Sequence, residues 1–137
     1  MKTENLIETW FNFSKYYNRI SNAIDYTLKE HFGLELKEFT LLYTLSEADE
    51  KKLRLQDLHS KIDLSLSALS RMASRLQNYK DGELVSRVTS LDDKRSAYIV
   101  LSETGEELLE SMLKTIDEAL HKSLLPKDIS NIVELLK

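Results

Sequence analysis

Apolar and aromatic side chains recur every three or four residues from the start of the chain: Leu6, Trp10, Phe13, Tyr17, Ile20, Ile24 and Leu28. That spacing, across residues 4–32 without Gly or Pro, predicts one long helix. A second set, Ile7, Phe11, Ala23 and Tyr26, lies off the stripe. A helix that is apolar on more than one face must bury more than one face. Two burial partners would be its own domain and a second subunit; the alternative is a central core helix in a monomer. Gly33 suits the position just past the helix end.

The pattern then shortens. Leu36, Phe39, Leu42, Tyr43 and Leu45 predict a second helix over 36–47, followed by a polar turn from Glu47 to Lys52. Leu55 to Ile62 reads as a short helix, with Asp63-Leu64 as a tight break. Ser65 is placed to cap a helix running from Leu66 to about Tyr79. After a turn at Lys80-Asp81-Gly82-Glu83, the β-forming runs Leu84–Thr89 and Ser96–Leu101 flank Asp92-Asp93-Lys94-Arg95, which predicts a hairpin. Ser102 caps a last helical region with a stripe through Leu108, Met112, Ile116 and Leu120. Pro126 interrupts it and opens a final helix, Lys127 to Leu136. The fold class expected is mostly α with a small β-hairpin. No repeat, low-complexity segment or linker divides the chain.

Composition narrows the function. The 137 residues make one domain's length, with Gly 3, Pro 1 and Cys 0. Lack of cysteine excludes disulfides, thiolate metal sites and thiol redox sensing within the chain. The longest apolar runs, such as Ala97–Leu101, fall far short of a bilayer span. No signal peptide is expected from residues 1–5 and their charged sequel, so the expectation is a cytoplasmic protein with no membrane partner. The net charge is −4, yet residues 51–95 hold ten Lys or Arg against six Asp or Glu. The rest holds nine against seventeen. A basic middle between acidic ends points to a localised anionic partner.

The helix from Leu66 carries the chemistry. At 100° per residue, Leu66, Leu69, Met72, Ala73 and Leu76 fall within about 120°. Opposite lie Ser67, Arg71, Ser74 and Asn78, flanked by Ser70 and Arg75, and no acid occurs from Leu64 to Lys80. Small hydroxyls let a helix enter a major groove, and Arg can donate twice to guanine or meet a phosphate. With the short helix before it, the segment reads as a helix-turn-helix. The hairpin behind it reads as a wing whose Arg95 suits a narrow minor groove. Asp93, two residues before Arg95, can pair with that guanidinium and hold its direction. The plain alternative is a solvated helix face and a solvated loop.

In order and spacing the chain resembles a MarR-type winged-helix transcription factor. The resemblance rests on Leu53-Arg54-Leu55-Gln56-Asp57-Leu58, on Leu64 to Leu76, on Leu84-Val85-Ser86-Arg87, on Asp93-Lys94-Arg95 and on Leu101-Ser102-Glu103-Thr104-Gly105. It implies a single domain over 1–137, in which 1–33 and 103–137 are dimerisation helices and 36–102 is the winged helix-turn-helix core. It implies a homodimer on palindromic double-stranded DNA, usually a repressor, released in many members by a small aromatic or phenolic effector or an oxidant. Ser67, Ala68, Ser70, Arg71 and Arg75 stand where that family commonly contacts DNA, and Arg95, oriented by Asp93, would enter the minor groove. With the capping Ser65, the face residue Ser74 and the loop residue Lys94, these complete the candidate DNA-binding set. The chain departs from the family in three places. Seven residues separate Leu76 from Leu84, more than is usual; His59 replaces a small residue; and no cysteine is present.

Other chemistry finds little footing. His31, His59 and His121 lack ligand spacing, and no nucleophile elbow, P-loop or dinucleotide fingerprint occurs. No metal, cofactor or enzymatic activity is expected. Two further readings differ in class. One is a dimeric protein–protein adaptor that keeps the fold without DNA. The other is a small-molecule-binding protein, with Trp10, Phe11, Phe13, Tyr16 and Tyr17 either lining a pocket or forming ordinary core.

Overall fold

The structure is a computed structural model that describes residues 5–89 and 97–135. Its order is α1 (Leu6–Phe32), α2 (Leu36–Ser46), a 3-10 turn (Asp49–Lys51), β1 (Lys52–Arg54), α3 (Leu55–Lys61), α4 (Leu66–Gln77), β2 (Val85–Thr89), β3 (Ala97–Leu101), α5 (Glu103–Ser123) and α6 (Pro126–Leu135). No helix among the described residues is long and apolar enough to cross a membrane. The chain divides into two compact units, residues 37–113 and residues 1–36 with 114–137.

The 37–113 unit packs α2, α3 and α4 with a three-stranded antiparallel sheet in the order β1-β3-β2. Leu41, Leu45, Leu58, Leu69, Leu76, Val85 and Ile99 are fully buried and form its core. The register sets Val85 opposite Leu101 and Arg87 opposite Ile99; Val85, Ile99 and Leu101 are buried on that face, and Arg87 stands exposed at its rim. Lys52, Arg54, Ser86, Val88, Tyr98 and Val100 share the other face.

Three sequence expectations change here. Lys52-Leu53-Arg54 forms a strand against Tyr98–Val100, where Lys52 was expected to end a turn and no strand was expected. Three residues, two of them cationic, are too short a run to show alternation, and such short charged strands suit a sheet edge. The strand follows a turn in which both Glu50 and Lys51 have φ of 55. Next, α4 stops at Gln77 instead of reaching Tyr79. Asn78 ends it: its Nδ2 donates to the Ser74 carbonyl at 2.8 Å, and its backbone N–H donates to Ser74 and Arg75. The extra residues before the hairpin therefore form a longer loop and not another helical turn. Last, Leu66 is 42% exposed, although it lies on the apolar arc; it stands at the first helical position, beyond the packed turns.

The Leu101-Ser102-Glu103-Thr104-Gly105 segment has a clear physical role. Ser102 caps α5 by accepting from the Gly105 N–H at 2.9 Å, and its hydroxyl donates to the Glu83 carbonyl at 2.6 Å. A Cβ at Gly105 would lie 2.2 Å from the Leu84 carbonyl oxygen. Only glycine lets α5 approach the chain entering β2 this closely.

In the other unit, Asn5 caps α1 by accepting from the Glu8 N–H at 3.1 Å. Gly33, at φ 68, closes it with the Leu34 N–H donating to Leu28. Pro126 opens α6, and Arg19 pairs with Asp128 at 3.7 Å. Leu6, Ile7, Trp10, Phe11, Tyr17 and Tyr26 on α1, with Leu125, Val133 and Leu135 at α6, are exposed.

Candidate nucleic-acid interface

The turn between α3 and α4 is held by side chains. His59 Nδ1 lies 2.7 Å from the Leu64 carbonyl oxygen, and Lys37 Nζ donates to the Asp63 carbonyl at 3.4 Å. His59 thus serves the turn. Ser65 caps α4, its hydroxyl accepting from the Ala68 N–H at 3.1 Å. Leu69, Met72, Ala73 and Leu76 bury the inner face of α4. The outer face carries no acid, so nothing on it repels a phosphate.

The outer face is not uniform. On one edge, the Arg87 guanidinium reaches across from β2. Its Nη2 donates to the Ser70 carbonyl oxygen, to Ser70 Oγ at 3.1 Å and to Ser74 Oγ at 3.0 Å. On the other edge, Arg75 Nε lies 3.6 Å from Glu38 Oε2 on α2. Glu38 is only 7% exposed, so its carboxylate needs a cation close by. Between these edges stand Ser67 and Arg71, both exposed, while the half-buried Ala68 lies just beyond the Arg75 edge. Arg71 has no ion pair or hydrogen bond among the described residues.

The ten candidate residues therefore separate. Ser65 caps the helix. Ser67 and Arg71 form an outward strip, and Ala68 is half-buried beside Arg75. Ser70 and Ser74 are engaged by Arg87, and Arg75 by Glu38. Asp93, Lys94 and Arg95 lie outside the described residues. Sequence reasoning missed Arg87 and Glu38. Both left a faint signal: Arg87 shares β2 parity with Val85, and Glu38 precedes Leu41, Leu42 and Leu45 at helical spacing. A charged residue on an apolar face calls for a partner, but the sequence does not name it.

The open face of the sheet adds positive charge. Arg54 Nε donates to Tyr98 Oη at 3.1 Å, and Lys52 Nζ sits 5.0 Å from the Tyr98 ring centroid. Beside β1, a cleft of about 570 Å³ is lined by Tyr43, Glu47, Asp49, Lys52 and Lys61, among others. Four of its eight lining residues are charged, beside Tyr43, Ala48 and Leu53.

The profile of the family described as "Transcriptional regulator SarA/Rot" matches residues 23–112, more than half of the chain. The chain belongs to the SarA/Rot family of transcriptional regulators. It is a regulator and not an enzyme. Its fold is that of the MarR regulators, as the sequence resemblance implied. AbsC, a MarR family transcriptional regulator from Streptomyces coelicolor, superposes with a TM-score of 0.74 at 23% identity, covering 100% of this chain and 93% of that one. Sco3205, a MarR family regulator from the same organism solved in complex with DNA, gives 0.74 at 23%, covering 99% and 86%. Bordetella bronchiseptica BpsR, whose DNA binding is regulated by 6-hydroxynicotinic acid, gives 0.68 at 19%, covering 99% and 95%. At these identities the likeness establishes the fold. No curated protein matches the chain.

Proposed function

We propose that this SarA/Rot family member is a cytoplasmic homodimer that binds palindromic operator DNA and represses transcription. The observation that carries the reading is the outward strip of α4. A capped helix presents Ser67 and Arg71, with no acid on that face and with Arg71 unengaged among the described residues. An exposed guanidinium between small side chains suits a bidentate contact to guanine. The DNA complex of Sco3205 supports the same use of a shared fold. In this reading, residues 36–102 are the DNA-binding core. Asp93, Lys94 and Arg95, which lie in the sequence between β2 and β3, supply the minor-groove contact in this reading. Ser70, Ser74 and Arg75 shape the reading helix, and their DNA contacts are secondary.

Residues 1–33 and 103–137 form the dimer interface. Trp10 is 59% exposed, Leu6 72% and Tyr26 67%. Apolar area of this extent on a monomer marks an interaction surface. A two-fold dimer presents two α4 helices to half-sites about one helical turn apart, roughly 34 Å. Release by a small aromatic or phenolic effector is the third part of the reading; the regulation of BpsR by 6-hydroxynicotinic acid supports it. A protein–protein adaptor would use the same apolar surface, but it leaves the acid-free face of α4 without a purpose.

Sedimentation of the protein alone, and with a duplex selected from a random pool, tests the reading. The expected species are a dimer at micromolar concentration and a complex of two protomers per duplex. A monomer that leaves every duplex free would overturn it.

A further inference from the structure

We propose that Arg87 is a positioning residue that locks the hairpin against the reading helix, fixing the distance between the two places where they meet DNA. The inference rests on the DNA-binding reading above. Residues 78–84 join α4 to β2 without helix or strand. The Leu84 N–H donates to the Leu76 carbonyl at 3.0 Å, which anchors the hairpin at its base. The β1 ladder ties β3 to the strand that enters α3, but a β2 strand tied to α4 only at its base can shift against that helix, and by more the further along the strand, at about 3.3 Å of length per residue. Arg87, three residues further along, supplies a second anchor.

Its guanidinium meets one carbonyl and two hydroxyls on successive turns of α4. Ser74 Oγ in turn donates to the Ser70 carbonyl at 3.2 Å. The cluster is thus a small network in which a planar donor bridges two acceptor residues. All three contacts come from Nη2, which the planar guanidinium carries out to the helix; a lysine keeps the charge but ends in a tetrahedral ammonium on a shorter stem. Arg87 lies opposite Ile99 in the ladder, on the side of β2 that meets α4, so its backbone is held by the sheet while its exposed side chain grips the helix.

The test combines Arg87→Ala, Arg87→Lys, Ser70→Ala/Ser74→Ala and the triple variant Arg87→Ala/Ser70→Ala/Ser74→Ala. Each is measured on a duplex selected by the wild type, and each is melted without DNA. The expected result is that the first three bind about tenfold more weakly, losing preference for the flanking base pairs more than for the inner ones. The triple variant is expected to match Arg87→Ala in both affinity and melting midpoint. The salt dependence of Ser70→Ala/Ser74→Ala should stay that of the wild type, because no cation is lost.

Wild-type binding by Arg87→Lys, together with a salt slope reduced by about one in Arg87→Ala, would make Arg87 a phosphate contact and overturn the proposal. Additive losses in the triple variant would overturn it as well, because the serines would then act apart from Arg87. If the wild type enriches no duplex, the DNA reading itself falls. If it enriches one and the variants bind it unchanged, the positioning role alone falls.

Discussion

Arg75 Nε lies 3.6 Å from the Glu38 carboxylate, tying the reading helix to α2 through a carboxylate that solvent scarcely reaches. This pair divides two arginines that the sequence presents as equivalents. Arg75→Ala leaves Glu38 with less compensation for its burial. The expected loss is about 1–3 kcal/mol of stability, measured by urea unfolding without DNA. Arg71→Ala should change stability by less than about 0.5 kcal/mol. Equal effects on unfolding would show that the Glu38 contact carries no weight.

Gly105 gives the sharpest packing prediction. A methyl group there would overlap the Leu84 carbonyl oxygen at 2.2 Å, and Leu84 is fully buried. Backbone cannot yield as a flexible side chain does. Gly105→Ala should cost at least about 2–3 kcal/mol, despite the better helix propensity of alanine. Its melting midpoint, compared with that of Gly33→Ala at the end of α1, is the check. At Gly33 nothing lies within 4 Å of the added Cβ, and the cost is conformational.

Acid sensitivity has an identified contributor in Asp25. The hydrogen bond from Lys29, at 2.8 Å, is the main cause that lowers its pKa, with the Leu36 N–H donating to the other carboxylate oxygen at 3.2 Å. A carboxyl whose folded pKa lies below its unfolded value adds stability above the unfolded value, here near 3.8. That contribution disappears as pH falls through the lower folded value. Asp25→Asn should therefore flatten the acid limb of the stability curve below about pH 4 and leave its slope between pH 5 and 7 unchanged. An acid limb as steep as the wild type's would assign the effect to other carboxylates. Because the pair is exposed, its magnitude is small.

The helices were legible because burial imposes a period of three to four on residues such as Leu28, Leu45, Leu69 and Met112, and the hairpin because two runs of β-forming residues flank a charged stretch. The cap at Ser65 was legible because capping is local. The third strand was not, since Lys52 and Arg54 gain strand structure only from pairing with β3. The candidate site was half legible. A helical projection finds the outer face of α4, but it cannot show that Arg87 and Glu38 occupy its two edges, because both contacts join residues distant in sequence. Ser67 and Arg71 emerge as the core of the site only after those edges are filled.

The central claim is that α4 reads DNA through the strip holding Arg71. Its most direct test is selection from random duplexes with the wild type and Arg71→Ala, followed by affinity titrations at two salt concentrations. The account predicts a two-fold symmetric site for the wild type. It predicts that Arg71→Ala binds that site more weakly by about 1–3 kcal/mol and loses preference at one base pair in each half-site. Both proteins should weaken steeply with salt. An identical selected site and affinity for the two proteins would contradict the account.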